Sequence, residues 1–254
     1  MVLFSNSLCV SIVSHGHGEM VCDLVSQLLT CSEVRGVVVT CNIPEVLDLP
    51  HDHRILIVSN STPKGFSTNH NAAFRKVSGD AGCLFFCPVN PDVRLQANPF
   101  PILLSGLNDH GAALAAPLVL SADGVVEDSH RRFPILRSLI TKALGRGDGR
   151  YSVQPGQPNF HPEWVAGMFM LFRSESFRRL GGFDERFFLY YEDVDICVRA
   201  WKQGFKIVAC PSAVVVHDAR RDSRRKLRFM AWHLSSLTRY FMKHWLRLPR
   251  VSAS

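Results

Sequence analysis

The feature that most limits the fold of this chain is an alternation: short β-branched runs take turns with helical patterns all the way from Val10 to Phe86. Val10-Ser11-Ile12-Val13-Ser14, Val37-Val38-Val39, Ile55-Leu56-Ile57-Val58 and Leu84-Phe85-Phe86 each read as a strand. Between the first two, Met20, Val21, Leu24, Val25, Leu28 and Leu29 recur at helical spacing, and Asn69 to Val77 reads as a second helix. Such alternation predicts right-handed βαβ units and a mainly parallel sheet. The strands are continuously apolar rather than alternating, which fits a sheet covered on both faces. The expected class is α/β.

The pattern continues with a helix around Ile102 to Leu107 and a strand around Ala112 to Leu120, then fails from Ser121 to Pro162. That stretch is rich in Gly, Pro, Arg and Asp and contains Gly145-Arg146-Gly147-Asp148-Gly149. A long irregular insertion is either mobile or functional, so a lid, an acceptor-binding loop and plain disorder all remain open. Beyond Trp164 the sequence predicts a strand at Phe169 to Phe172 and a short helix from Ser174 to Leu180, stopped by Gly181-Gly182. A helix from Glu192 to Gln203 follows, with Gly204 behind it, then two short strands, Phe205 to Ala209 and Val214 to Val216.

Composition narrows the function classes. With 254 residues the chain can bury one full core. A net charge of +7 suits an anionic ligand such as a nucleotide diphosphate, or an acidic lipid surface. Eight dispersed cysteines without a Cys-x-x-Cys pair argue for reduced thiols and a cytosolic setting, and against a structural zinc site. No signal-peptide pattern is read at the N-terminus. No apolar stretch reaches the ~20 residues a membrane-spanning helix needs.

Three constellations carry chemistry. Asn90-Pro91-Asp92 follows a strand, where α/β sheets bind ligands, so Asp92 is a candidate for a divalent cation; the same tripeptide also fits a plain turn. Gly181-Gly182-Phe183-Asp184-Glu185 leads into Phe187-Phe188-Leu189-Tyr190-Tyr191-Glu192-Asp193-Val194-Asp195, where carboxylates crowd against aromatic rings. Apolar walls lift a carboxyl pKa toward general-base values, while a helix N-terminus favours the ionised form. On a helix Glu192 and Asp195 are expected to share a face, with Asp193 pointing elsewhere. The acids also serve simply to complement a helix dipole, a reading as good as function for Asp184 and Glu185. Third, His217 ends a strand and can ligate a metal or touch a phosphate, although a lone histidine is more often structural. His15-Gly16-His17-Gly18-Glu19 and His51-Asp52-His53 lack the helical His pair of a zinc hydrolase.

Taken in order, these pieces resemble the family-2 glycosyltransferases of the GT-A fold. The likeness runs from Val10 to His217 and is most specific in Trp164-Val165-Ala166-Gly167 through Arg173, Gly181 to Glu185, Glu192 to Asp195, Arg199, Gly204 and His217. Lys64 to Phe74, followed by Asn90-Pro91-Asp92, is similar to the rhamnosyltransferase branch that builds bacterial surface polysaccharides. The resemblance implies Asp193 as catalytic base, with Asp92 and His217 holding Mg²⁺ or Mn²⁺. It implies substrate contacts at Ser14, Asn42, Gly65, Asn69, Asn71, Asn90, Trp164, Gly167, Glu192 and Asp195. The implied reaction inverts the anomeric carbon: the base deprotonates an acceptor hydroxyl, which displaces a nucleoside diphosphate. The sequence departs from the family where Asn90 replaces the first aspartate of the metal motif, and where Asn42 stands in place of a base-reading aspartate. Thymidine and uridine donors both fit.

From Arg220 to Arg250 basic residues are dense, and Leu227, Met230, Leu234, Leu237, Tyr240, Phe241, Met242, Trp245 and Leu248 recur at largely helical spacing. Such a helix either lies in an anionic membrane interface or packs its apolar stripe on the domain. No motif supports nucleic-acid binding. The expected organisation is a GT-A domain over 1–218, with a nucleotide-binding half at 1–95 and an acceptor-side half at 96–218 containing a 121–162 loop. A basic amphipathic extension occupies 219–254. The expected activity is sugar transfer from a dTDP- or UDP-sugar, L-rhamnose among the candidates, to a glycan or polyprenyl-diphosphate-linked acceptor at the cytoplasmic membrane face. A hexose or N-acetylhexosamine transferase on the same fold, or a non-catalytic sugar-nucleotide-binding scaffold, are the alternatives.

Overall fold

Seven apolar or small residues, Leu8–Ser14, form strand β1, the centre of the sheet's parallel half. The computed structural model describes residues 7–135, 149–218, 227–244 and 247–251. β1 pairs in parallel with β2 (Val34–Cys41) on one side and β4 (Phe85–Val89) on the other, and β2 pairs in parallel with β3 (Ile55–Ser59). The eight-stranded order is β3-β2-β1-β4-β9-β6-β10-β5. Here β5 is Val93–Arg94, β6 Leu114–Ser121, β9 Leu171–Arg173 and β10 Ile207–His217. β9 lies antiparallel to both β4 and β6, so β4, β6 and β10 run the same way as β1. The carboxyl ends of six strands therefore share one rim, carrying Ser14, Asn42, Asn60, Asn90, Ser121 and His217. A separate two-stranded sheet joins β7 (His130–Arg131) to β8 (Trp164–Val165).

Helices cover both faces. On one side α1 (Gly18–Leu29) and α3 (Phe100–Asp109) bury Leu24, Leu28, Phe100 and Leu103 against Val10, Ile12 and Val37. On the other, α2 (Phe66–Val77), α4 (Ser174–Arg179) and α5 (Glu192–Lys202) pack around Phe74, Phe86, Phe172, Phe177 and Phe183. Ring centroids within that aromatic group lie 4.8–6.1 Å apart. Full burial of each Phe contributes about 1.5–3 kcal/mol, which makes this cluster a principal anchor for the loop that leads into α5.

Two readings from the sequence change. The two short strands around Pro211 are one strand, β10, with a register shift between Cys210 and Val214 that absorbs the proline. The irregular stretch after Ser121 is ordered where described. Its chain returns on β6 through Ser121 N–H to Val125 O at 2.8 Å and Glu127 N–H to Val119 O at 2.8 Å. Arg132 N–H also donates to Gly149 O at 2.8 Å, and Tyr151 N–H to His130 O at 3.1 Å. Residues 145–148 of the glycine-rich run lie outside the described residues.

The last helix, α6 (Leu227–His244), packs part of its apolar stripe on the domain. Tyr240 is fully buried in the core and donates to Pro134 O at 3.2 Å. Met230, Leu234 and Met242 point outward at 62–82% exposure, so an apolar stripe is left uncovered. Trp245 lies outside the described residues.

Candidate active site

The acids of α5 sit at a helix start built by strain. Tyr190 and Tyr191 adopt left-handed φ values of 69° and 67°, the positive φ values found among the described non-glycine residues. Each costs about 1–2 kcal/mol for a residue with a Cβ. Ring contacts to His233 of α6, both at 5.4 Å, and Tyr191 against Tyr240 hold the turn. The strand–loop segment before it is fixed by Asn71, which donates to Phe183 O at 2.8 Å and accepts from Phe183 N at 2.9 Å. Gly182, at φ +70°, is needed because a Cβ would stand 2.4 Å from Asn71 Oδ1.

Beside this turn opens a cavity of about 990 Å³, walled by Trp164, Tyr190, Tyr191, Glu192, Asp193 and Arg131, with Leu237 of α6 and residues 248–251 closing it. The Asp193 carboxylate accepts from Gly167 N–H at 2.9 Å and from Val194 N–H at 2.8 Å. Burial raises its pKa, and those two amides oppose the rise. Glu192 is 5% exposed and its Oε2 has no hydrogen-bond partner. Burial, then the charge of Asp193, lifts its pKa well above the carboxylate range. Both carboxyl pKa values are raised; Asp193 is the one whose oxygens are met by backbone N–H donors, and Glu192 keeps one oxygen without a partner.

Asp195 goes elsewhere. It is fully buried and its oxygens meet Arg199 Nε at 2.7 Å, His244 Nε2 at 2.7 Å and Lys243 Nζ at 2.6 Å. Burial works to raise its pKa but His244, Arg199 and Lys243 outweigh it and the carboxyl is lowered. The expected pairing of faces is thus corrected. The cavity wraps the helix N-terminus, so Glu192 and Asp193 share it, while Asp195 is a tie to α6 and offers no free atom to a ligand.

A second cluster lies on the rim. The two-residue strand β5 pairs antiparallel with β10, setting Val93 opposite His217, and Asp218 N–H donates to Asp92 O at 2.9 Å. This brings Asp92 Oδ1 to 3.2 Å from His217 Nε2 across 125 residues of sequence (217 minus 92). His217 Nδ1 meets Glu127 Oε2 at 3.2 Å. Burial alone would lower the imidazole pKa, but Asp92 and Glu127 on either side raise it. Asn90 N–H donates to Met168 O at 2.9 Å, linking the end of β4 to the Gly167 segment. Among the described residues, no group of three or more His, Cys, Asp or Glu is arranged to hold a metal.

Residues 119–251, just over half of the chain, match the model of Glycosyl transferase family group 2. The chain belongs to glycosyltransferase family 2. Rhamnosyltransferase WbbL of Escherichia coli K12 is 26% identical over 245 residues, 92% of each chain. The N-acetylglucosaminyl-diphospho-decaprenol L-rhamnosyltransferase of Mycobacterium tuberculosis H37Rv is 32% identical over 186 residues, covering 68% of this chain and 61% of that protein. Among solved structures, GalNAc-T7 with UDP, GalNAc and Mn²⁺ superposes with a TM-score of 0.67 at 14% identity, over 85% of this chain and 44% of that one. The fold is GT-A, and the enzyme transfers a sugar from a nucleotide-sugar donor.

In this glycosyltransferase the remaining expected contacts divide by what their polar atoms already do. Ser14 ends β1 and donates to Glu45 Oε2 at 2.8 Å; Gly16 N–H reaches the same carboxylate at 3.3 Å. Asn42 accepts from Lys64 N and Asn60 Nδ2 and donates to Lys64 O, all within 2.9 Å. Asn69 accepts from Asn60 Nδ2 at 2.8 Å and donates to Lys64 O at 3.2 Å. Asn42 and Asn69 therefore shape the loop before α2 rather than present free groups. Asn71 is likewise an internal clamp. Gly65 is a packing position, since a Cβ there would meet Phe188 O at 2.5 Å. Trp164 and Gly167 remain at the cavity, the indole N–H donating to Arg132 O at 2.9 Å. Glu45, Glu127 and Arg131 were not singled out by the sequence; the first lies in a polar turn, the other two in the aperiodic stretch, and no pattern marks them.

Proposed function

We propose that this glycosyltransferase moves a sugar, L-rhamnose in the leading reading, from a dTDP- or UDP-linked donor to a hydroxyl of a polyprenyl-diphosphate-linked glycan. The observation that carries the proposal is the Asp193 carboxylate, braced by two backbone amides beside Glu192 on the wall of a large cavity. The two rhamnosyltransferase relatives support the donor sugar. Arg131 and the apolar groups Leu237, Leu248 and Val251 suit an acceptor that combines phosphate with lipid.

The chemistry follows from the geometry. The acceptor hydroxyl lies in the cavity against Asp193, which takes its proton as the oxygen forms a bond to the anomeric carbon. The bond from that carbon to the nucleoside diphosphate breaks on the opposite face, giving inversion. Asp92 Oδ1 and His217 Nε2 fit neighbouring positions on a divalent cation. Donors about 2.1 Å from an octahedral ion stand about 3.0 Å apart, against 3.2 Å here, and Asp92 Oδ1 is buried without a hydrogen-bond partner. Asp92 and His217 would hold a Mg²⁺ or Mn²⁺, which would supply positive charge for the leaving diphosphate.

Asp193→Asn tests the base. Turnover should fall about 10²–10⁴-fold while donor binding by calorimetry persists; undiminished turnover sinks the assignment. The exposed Met230, Leu234 and Met242 stripe, next to the basic 220–226 run, supports peripheral contact with the cytoplasmic membrane face. Among the described residues no helix is long and apolar enough to cross a membrane. Flotation with anionic vesicles should recover the protein, and replacing the three stripe residues by Ser should release it. Flotation undisturbed by that triple change argues against the helix as the contact.

A further inference from the structure

We infer that Glu127 is a positioning residue for the cation site, fixing His217 with its proton on Nδ1 so that the Nε2 lone pair is free for a divalent metal. The inference rests on the proposed role of Asp92 and His217 and goes beyond it, since Glu127 has had no assigned part. Its position is built by the return of the chain on β6. Gly124 N–H to Ser121 O at 2.9 Å and Glu127 N–H to Val119 O at 2.8 Å form a tight reversal, and β6 sets Ser121 opposite His217 in register. Glu127 thus reaches the imidazole from the neighbouring strand.

The two ring nitrogens meet different contacts. His217 Nδ1 and Glu127 Oε2 form a hydrogen bond at 3.2 Å. On the other edge, Nε2 lies 3.2 Å from Asp92 Oδ1, yet that oxygen has no hydrogen-bond partner of acceptable direction. A neutral imidazole has one donor nitrogen and one acceptor nitrogen. A cation on the Asp92 edge needs Nε2 bare, so the ring's remaining proton then sits on Nδ1, where Glu127 Oε2 accepts it. Glu127 itself is on the far edge of the ring and cannot reach the same ion. A carboxylate holding the distal N–H of a ligating histidine orients the ring and raises its basicity, and its loss typically weakens metal binding about 10–100-fold.

The test measures Mn²⁺ binding to the full chain by calorimetry, without donor or acceptor. Wild type should bind, and H217A should not. E127A should bind about 10–100-fold more weakly, while E127Q, whose amide oxygen still accepts the Nδ1 proton, recovers most of the affinity. Melting without metal establishes that each variant is folded. Equal affinity in E127A and wild type, with H217A inactive in binding, overturns the role of Glu127 and leaves the metal reading standing. A wild type that binds no Mn²⁺, or an H217A that binds normally, overturns the metal reading and this inference with it. A second readout needs no substitution: in ¹⁵N-histidine spectra with Mg²⁺, His217 should show a protonated Nδ1 and a bare, metal-facing Nε2. The opposite tautomer refutes the proposal.

Discussion

Asp195→Asn separates a structural acid from a ligand-binding one. The native carboxylate is fully buried between Arg199, Lys243 and His244, with contacts of 2.6–2.7 Å. The amide removes the charge and leaves His244, 3% exposed, and the partly buried Lys243 facing a neutral group that also carries N–H donors. Breaking a buried ion pair from one side costs about 3–5 kcal/mol. Lys243 keeps Asp184 at 2.7 Å, which favours the lower end. At about 2.1 cal/mol/K per residue, unfolding of 254 residues carries about 0.5 kcal/mol/K, so the melting point should drop by roughly 6–9 °C. The pH dependence has a definite sign. A carboxyl held below its ordinary 3.8 stabilises the fold above that value and loses the contribution as pH falls through the lowered native pKa. The gap between wild type and D195N should hold at neutral pH and close in acid. Melting followed by circular dichroism from pH 2.5 to 8, with donor titration at neutral pH, checks both parts. An unchanged melting point together with lost donor binding would refute the structural reading.

Glu192→Gln should keep most of the turnover at neutral pH, because burial favours the uncharged form that the amide mimics, in contrast to the loss expected of Asp193→Asn. Its carboxyl pKa is raised above 4.5 by burial first and Asp193 second, so wild type loses stability as pH climbs from there through the folded pKa. The melting point of E192Q should overtake that of wild type above pH 4.5 and match it below; a pH-independent difference contradicts this. Asn71→Ala strips partners from Phe183 N–H and C=O, each worth about 1–3 kcal/mol when left buried and unsatisfied. Thermal melting should show the loss, and an unaltered melting point would mean the clamp carries no strain-holding role.

The strands and helices around Val10 to Phe86 were legible because their signals are local: apolar periodicity needs only neighbours in sequence. The rim cluster was legible only as separate candidates. Asp92 and His217 meet because Val93 pairs with His217, and a two-residue strand has no periodicity to detect. Glu127 fell in a stretch where the apolar periodicity fails, and its backbone return on β6 is a hydrogen-bond pattern rather than a composition. Asn42, Asn69 and Asn71 were marked as ligand contacts by the family resemblance. The same amide donors and acceptors also suit backbone, and the choice between the two depends on which chain lies within 3 Å. The apolar positions of α6 showed that the helix had something to bury, but not that Tyr240 would go inward while Met230 and Leu234 stayed out.

The acidic start of α5 shows how one local signal yields three functions. Glu192, Asp193 and Asp195 all sit in the first turn, where the helix dipole favours negative charge. What separates them is the tertiary partner each receives: no partner for one Glu192 oxygen, two amides for Asp193, and Arg199, Lys243 and His244 for Asp195. The third set comes largely from α6, whose His233 also steadies the left-handed Tyr190-Tyr191 turn and whose Leu237 lines the cavity. One helix therefore ties down Asp195, walls the cavity beside Asp193, and turns Met230, Leu234 and Met242 outward. Leu237 follows Met230 by two helical turns and Leu234 by one, so the cavity wall and the outward residues adjoin along one side of the helix. Under the proposed function, a lipid lying on Met230 and Leu234 would therefore lead its head group directly into the cavity that holds Asp193.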